Sequence, residues 1–202
     1  MNYKIISTGS KGNCVIINDV MIDCGVSFKE IKDELYSIKY LLLTHTHTDH
    51  INLKTLQQIA SQFPRICIIG NYEVHAIYNC NIIANAGFEI TTDDYIFYPF
   101  ELQHDVLCYG YTWNFEGKEI IYATDTSHLN NAPIKKYDYL FLESNHDEAK
   151  LEEVRNERKG SYNPYLSGKR HLSTQQAKAF YYLHRKSQDS PLIELHQSAR
   201  FY

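Results

Sequence analysis

Apolar residues along this chain gather in short runs, not in long helical stripes. YKIIS (Tyr3–Ser7), CVII (Cys14–Ile17) and VMID (Val20–Asp23) read as strands, the last two closing as a hairpin over Asn18-Asp19. Ser27 with Glu30 forms a capping box and predicts a helix through Tyr36. Tyr40–Thr44 is a short apolar strand. It is followed by a helix over Leu53–Ser61, a strand over Ile66–Ile69, and a helix over Tyr72–Ala86 ended by Gly87. From Tyr95 to Thr124 the pattern is β, with a turn at Glu116-Gly117, and Tyr137–Leu142 is a further strand. A charged helix over Asp147–Arg158 leads into the irregular ERKGSYNPYLSGKR; Ser173 then caps a helix to Arg185, and Pro191–Leu195 is the last strand. Strands in both halves with helices between them predict an α/β protein with a mixed sheet-on-sheet core flanked by helices. Periodicity does not set the strand order.

Length and composition narrow this picture. The 202 residues suit a single domain over 1–202, and 44% hydrophobic with 22% charged residues is ordinary for a globular protein. A net charge of −4 excludes a whole-molecule electrostatic trap for nucleic acid. The five cysteines are scattered and form no C-x-x-C pair, so they read as thiols in a reducing compartment. MNYKIISTGSKGN passes directly into a strand-like run, without a signal peptide's apolar core, and no window approaches a transmembrane span. A cytoplasmic protein without a membrane partner is expected.

The chemistry sits where apolar runs stop. LLLTHTHTDH places His45, His47, Asp49 and His50 within six positions of one another, just past a predicted strand. In extended chain His45 and His47 point the same way. A lone histidine is more often a surface or hydrogen-bonded residue, but four such residues in one short run are not explained as a polar loop. Partners recur downstream: His104 closes FELQ, Asp125 closes IIYAT, and His196 closes LIEL. Imidazole and carboxylate donors suit zinc, manganese or iron, and the lack of cysteine donors argues against a closed structural zinc site. Seven donors exceed one tetrahedral ion and fit two ions bridged by a carboxylate and a water.

These motifs resemble those of the metallo-β-lactamase superfamily: H-x-H-x-D-H stands at His45–His50, later motifs at His104, Asp125 and His196, and an early aspartate at Asp23 in MIDCG. The resemblance implies an αββα four-layer sandwich with two divalent ions, Zn or Mn, at one edge of the β core. It assigns His45, His47 and His104 to the first ion and Asp49, His50 and His196 to the second, with Asp125 bridging. The oxygen-reducing di-iron branch has Glu where this chain has His47, so hydrolysis is implied over redox chemistry. Paired cations lower the pKa of a bound water and stabilise charge on substrate oxygens.

Three segments resemble the ribonuclease Z group: YDYLFLESNHD with Glu143, RHLSTQQAKAF with His171, and LIELHQSARFY. STGSKGN, VMIDCG, LESNHD and RHLS also resemble small bacterial single-domain exonucleases of this fold. Together they favour a nucleotide phosphodiester substrate, either nucleic acid or a cyclic nucleotide. Relatives encoded by phages degrade cyclic mononucleotide signals as an anti-defence measure. A departing alkoxide needs a proton, which His171 is placed to supply as general acid with Glu143 orienting it. The expected catalytic set is therefore Asp49, Glu143 and His171. Arg158, Lys159, Lys169 and Arg170 around the irregular loop are candidates to meet phosphate, and Tyr162 to stack on a base. Interleaved glutamates make a merely solvated charged segment the bland alternative.

Only a β-hairpin separates His104 from Asp125, leaving no place there for a tRNA-gripping arm or a β-CASP insertion. The competing readings are a small-molecule ester, thioester or lactam hydrolase on the same metals, and a metal-bound scaffold, which the complete ligand set disfavours. The resemblance alone admits a homodimer.

Overall fold

In a computed structural model, residues 1–158 and 163–202 are described. The chain divides into two units: Met1–Asn85 with Val106–Cys108, and Ala86–Asp105 with Tyr109–Tyr202. Among the described residues each unit is built on one six-stranded sheet.

The first unit holds β1 (Tyr3–Ser7), β2 (Cys14–Ile17), β3 (Val20–Ile22), β4 (Tyr40–Leu43), β5 (Cys67–Gly70) and β6 (Ile82–Ile83), paired in sequence order. The β1, β2 and β3 pairings are antiparallel, whereas β3 through β6 run parallel. Parallel neighbours need crossovers. These are supplied by α1 (Phe28–Ile31) with a 3-10 turn at Glu34–Tyr36, by α2 (Leu53–Gln62) and by α3 (Tyr72–Tyr78). Every residue of β2, β3 and β4 is buried, which explains why they read as unbroken apolar runs instead of alternating ones.

The second unit holds β7 (Ile90–Thr91), β8 (Ile96–Leu102), β9 (Cys108–Phe115, its first residue assigned to the first unit), β10 (Lys118–Ala123), β11 (Tyr139–Glu143) and β12 (Leu192–Leu195), in the order β12-β11-β10-β9-β8-β7. β9 and β10 form the hairpin expected over Glu116-Gly117, whose φ values of 49° and 78° are those of a tight turn. β10, β11 and β12 are parallel, and α4 (Glu148–Glu153), α5 (Pro164–Gly168) and α6 (Thr174–His184) lie between β11 and β12 in the chain.

Most predicted elements stand, and the capping boxes at Ser27 and Ser173 are present. The helix expected to Ala86 ends at Tyr78. Asn79 takes a left-handed conformation at its C-cap, and the Asn81 side chain accepts from the Ile68 N–H, which turns Ile82–Ile83 into the sheet. The helix expected to Arg158 stops after Glu153, and the stretch read as irregular contains α5, begun by Asn163 and Pro164.

Candidate functional site

The site residues of the first unit sit beyond the C-terminal end of β4. There the THTHTDH turn is clamped by backbone: Asn13 N–H donates to Asp49 O (2.6 Å), Cys24 N–H to His50 O (2.9 Å), and Asn52 N–H to Cys24 O (3.1 Å). Gly25 is required because a methyl there would lie 1.8 Å from the Asp49 carbonyl oxygen. Within this turn the His45 ring centroid is 4.6 Å from His47 and 4.1 Å from His50. His45 and His50 are buried, while His47 and Asp49 are half-buried.

Asp23 orients the cluster from beneath. It is fully buried; one oxygen accepts from His50 Nδ1 (2.7 Å) and the other from Thr44 N–H (2.8 Å), with the Thr44 hydroxyl 2.9 Å away. Burial pushes its carboxyl up, and His50 and Thr44 offset this only in part. The Thr44 hydroxyl also lies 3.0 Å from His45 Nδ1, and Asn71 donates to Thr44 O (3.3 Å).

In the second unit, His104, Asp125 and His196 stand just past β8, β10 and β12. Their neighbours are Glu143, the last residue of β11, and His171, before α6. Glu143 has no exposed surface. Its Oε1 accepts from His171 Nδ1 (2.7 Å) and His196 Nδ1 (2.8 Å), and its Oε2 from the N–H groups of Thr126 (2.8 Å) and Leu172 (3.2 Å). Burial alone pushes this carboxyl up, but the two imidazoles outweigh it and hold it low. Burial pulls the His171 imidazole down, yet the hydrogen bond and charge of Glu143, together with Asp125, raise it above the ordinary histidine value. Asp125 Oδ1 lies 3.2 Å from His196 Nδ1 and 3.6 Å from His171 Nδ1, and the His104 and His171 rings are 6.3 Å apart. Thr126 joins two of these strand ends by accepting from Gln103 N–H (3.1 Å).

Asp23, Asp125 and His196 all adopt positive φ (59°, 54° and 53°). For non-glycine residues this costs on the order of 1–3 kcal/mol each and persists where surrounding bonds over-determine it. The Asn145 amide supplies one such bond, donating to His196 O (2.8 Å).

The donor set fits divalent metal. One oxygen or nitrogen from each of Asp125, Glu143, His171 and His196 falls within 4.8 Å of the others. Glu143 already accepts four hydrogen bonds, which matches the acceptor capacity of its two oxygens. Both imidazoles thus turn Nδ1 to the same Glu143 oxygen, which fixes the orientation of the two rings.

The expected substrate-binding residues are only partly gathered. Lys169 lies over the Tyr165 ring (5.7 Å), as does Arg155 (5.4 Å), and Arg170 is 3.9 Å from Asp105 beside His104. Arg158 is exposed, and among the described residues no interaction ties it to this group. Lys159 and Tyr162 lie outside the described residues. The sequence reading missed Asn13, Thr44, Asn71 and Asn145, each a polar residue buried at a strand end; it also missed that Glu143 serves His196 as well as His171.

Imidazoles and carboxylates at the ends of strands in mixed sheets suit a metal-dependent hydrolase, and comparison with known proteins shows the family. A profile described as "Beta-lactamase superfamily domain" matches residues 18–185, and the chain belongs to that superfamily. Human tRNase Z, short form, superposes with a TM-score of 0.69 at 16% identity, covering 99% of this chain and 94% of that one. The metallo-beta-lactamase fold protein YhfI from Bacillus subtilis gives 0.70 at 16%, covering 98% and 86%. A diphosphatase from the PhnP family gives 0.63 at 17%, covering 98% and 87%. These likenesses establish the expected α/β metallo-β-lactamase fold. A hydroxyacylglutathione hydrolase from Buchnera aphidicola subsp. Acyrthosiphon pisum (strain APS) is 32% identical over 102 residues, a stretch of 49% of this chain and 38% of that relative. Members of the superfamily are metal-dependent hydrolases. No helix among the described residues is long and apolar enough to cross a membrane.

Proposed function

We propose that this protein is a dinuclear metal-dependent phosphodiesterase that hydrolyses a nucleotide phosphodiester, in nucleic acid or in a cyclic nucleotide. The carrying observation is the 2.7 Å bond between Glu143 and His171 Nδ1, which sets the tautomer and leaves Nε2 to carry a proton outward. Asp125 beside both rings supports a protonated His171. By the family resemblance, His45, His47 and His104 would hold one ion and Asp49, His50 and His196 the other, with Asp125 serving both. Two such ions supply Lewis acidity toward water and phosphate oxygens. His171 then protonates the departing alkoxide, Glu143 holds His171 and His196, and Lys169 and Arg170 meet phosphate charge.

The solved structures of tRNase Z and a PhnP-family diphosphatase lend support, since both names denote cleavage at phosphorus. A second reading, thioester hydrolysis, draws on the 32% identity to a hydroxyacylglutathione hydrolase. The deciding experiment offers metal-loaded protein bis-p-nitrophenyl phosphate, 3′,5′-cyclic nucleotides, single-stranded DNA and RNA, an acylglutathione and nitrocefin. Turnover of the thioester or lactam without any phosphodiester would overturn the proposal.

A further inference from the structure

Asn13, in the turn between β1 and β2, is 2% exposed, and both its backbone and its side chain are engaged. Its N–H donates to Asp49 O (2.6 Å) and its carbonyl accepts from Gly25 N–H (2.9 Å). Its Oδ1 accepts from Gly9 N–H (2.8 Å), which turns Nδ2 toward Gly9 O (3.2 Å), Asp49 O (3.3 Å) and His50 Nε2 (2.8 Å).

The protons on His50 follow from its neighbours. Nε2 faces the Asn13 amide nitrogen at 2.8 Å, which can only donate, so Nδ1 carries the hydrogen and gives it to Asp23 at 2.7 Å. Nε2 of the neutral ring then presents its lone pair, and the Asn13 N–H points at it. An imidazole nitrogen has one in-plane lone pair and cannot both accept that hydrogen bond and bind a cation.

We propose that Asn13 is a positioning residue that holds His50 ready as a ligand and shields its lone pair, so that a divalent ion reaches His50 only by displacing the Asn13 amide. The inference rests on His50 being a metal ligand, as the proposed function has it. Displacement does not dismantle the turn, because Nδ2 keeps the Gly9 and Asp49 carbonyls as acceptors. The Asp49 carboxylate, 4.0 Å from the same nitrogen, lies where an arriving ion would meet it. Displacing that bond costs the ion that takes His50 part of its affinity, and this ion is assigned the weaker of two binding steps.

The test is a calorimetric titration of metal-stripped protein with Zn²⁺, with bound ions counted by elemental analysis, for the wild type, Asn13→Asp and Asn13→Ala. Asn13→Asp keeps an acceptor for Gly9 N–H and removes the donor. The weaker step should tighten roughly five- to tenfold in Asn13→Ala, the worth of one net hydrogen bond, and further in Asn13→Asp, while the tighter step stays put. A merely structural role predicts the reverse, since a damaged turn would hold metal less well. An unchanged or weakened second step in folded Asn13→Asp overturns the proposal, as does the absence of a second ion from all three proteins. Should the variants fail to fold, the wild-type Asn13 side-chain amide resonances in ¹⁵N spectra serve instead. They should move with the second equivalent of Zn²⁺, and their indifference to it overturns the proposal. Substrate plays no part in the titration, so failure here is distinct from failure to cleave any phosphodiester.

Discussion

At the scale of single residues, this chain devotes buried carboxylates to holding imidazoles. Asp23 holds His50, and Glu143 holds both His171 and His196. Replacing such an orienting partner typically costs about 10–100-fold in metal affinity or activity. Asp23→Asn should therefore weaken metal binding at His50 by that order, as read by competition with a chelator. Glu143→Gln should lower turnover at least as much and loosen the His196 ion as well, because one carboxylate serves both rings. His171→Ala should cut turnover on a poor leaving group by roughly 10²–10⁴-fold with bound metal unchanged. Metal loss on elemental analysis would show instead that His171 is a ligand.

At the scale of elements, strand ends deliver the chemistry. Apolar runs fix where β3, β10 and β12 stop, and within the next residue or two the chain turns sharply, hence the positive φ at Asp23, Asp125 and His196. The turn after β4 packs so closely on the β3 exit that Gly25→Ala should shift the Asp49-His50 peptide. The expected outcome is a lower melting temperature together with weaker metal binding. A melting temperature within about a degree of wild type would show that the turn yields freely. Recognition of these elements from sequence worked where burial makes a run uniform, as in YLLL. It failed over residues 79–86, where the left-handed backbone of Asn79 and the side chain of Asn81, and not hydrophobic spacing, end α3 and start β6.

At the scale of the whole molecule, the net charge of −4 gives no general pull on nucleic acid, so any grip depends on local cations. If Lys169 and Arg170 are the principal phosphate contacts, binding to single strands should fall with salt at a log–log slope of only about −1.4. A slope several times steeper would locate further cations in the binding surface. Removal of divalent metal by a chelator should abolish turnover, and restoration by Zn²⁺ or Mn²⁺ should return it at two ions per chain.

The superfamily and most strand and helix positions were legible in the linear order of residues, as was the set of candidate donors, because motif spacing and apolar runs are local properties of the chain. Which neighbours hold those donors came from the folded chain alone. Asn13 lies in a turn whose sequence, GSKGN, names no partner for His50, and Glu143, expected beside His171 from the resemblance, is far along the chain from His196. Such pairings are made when parallel strands bring distant ends to one edge, and no local pattern of hydrophobic and polar residues encodes them.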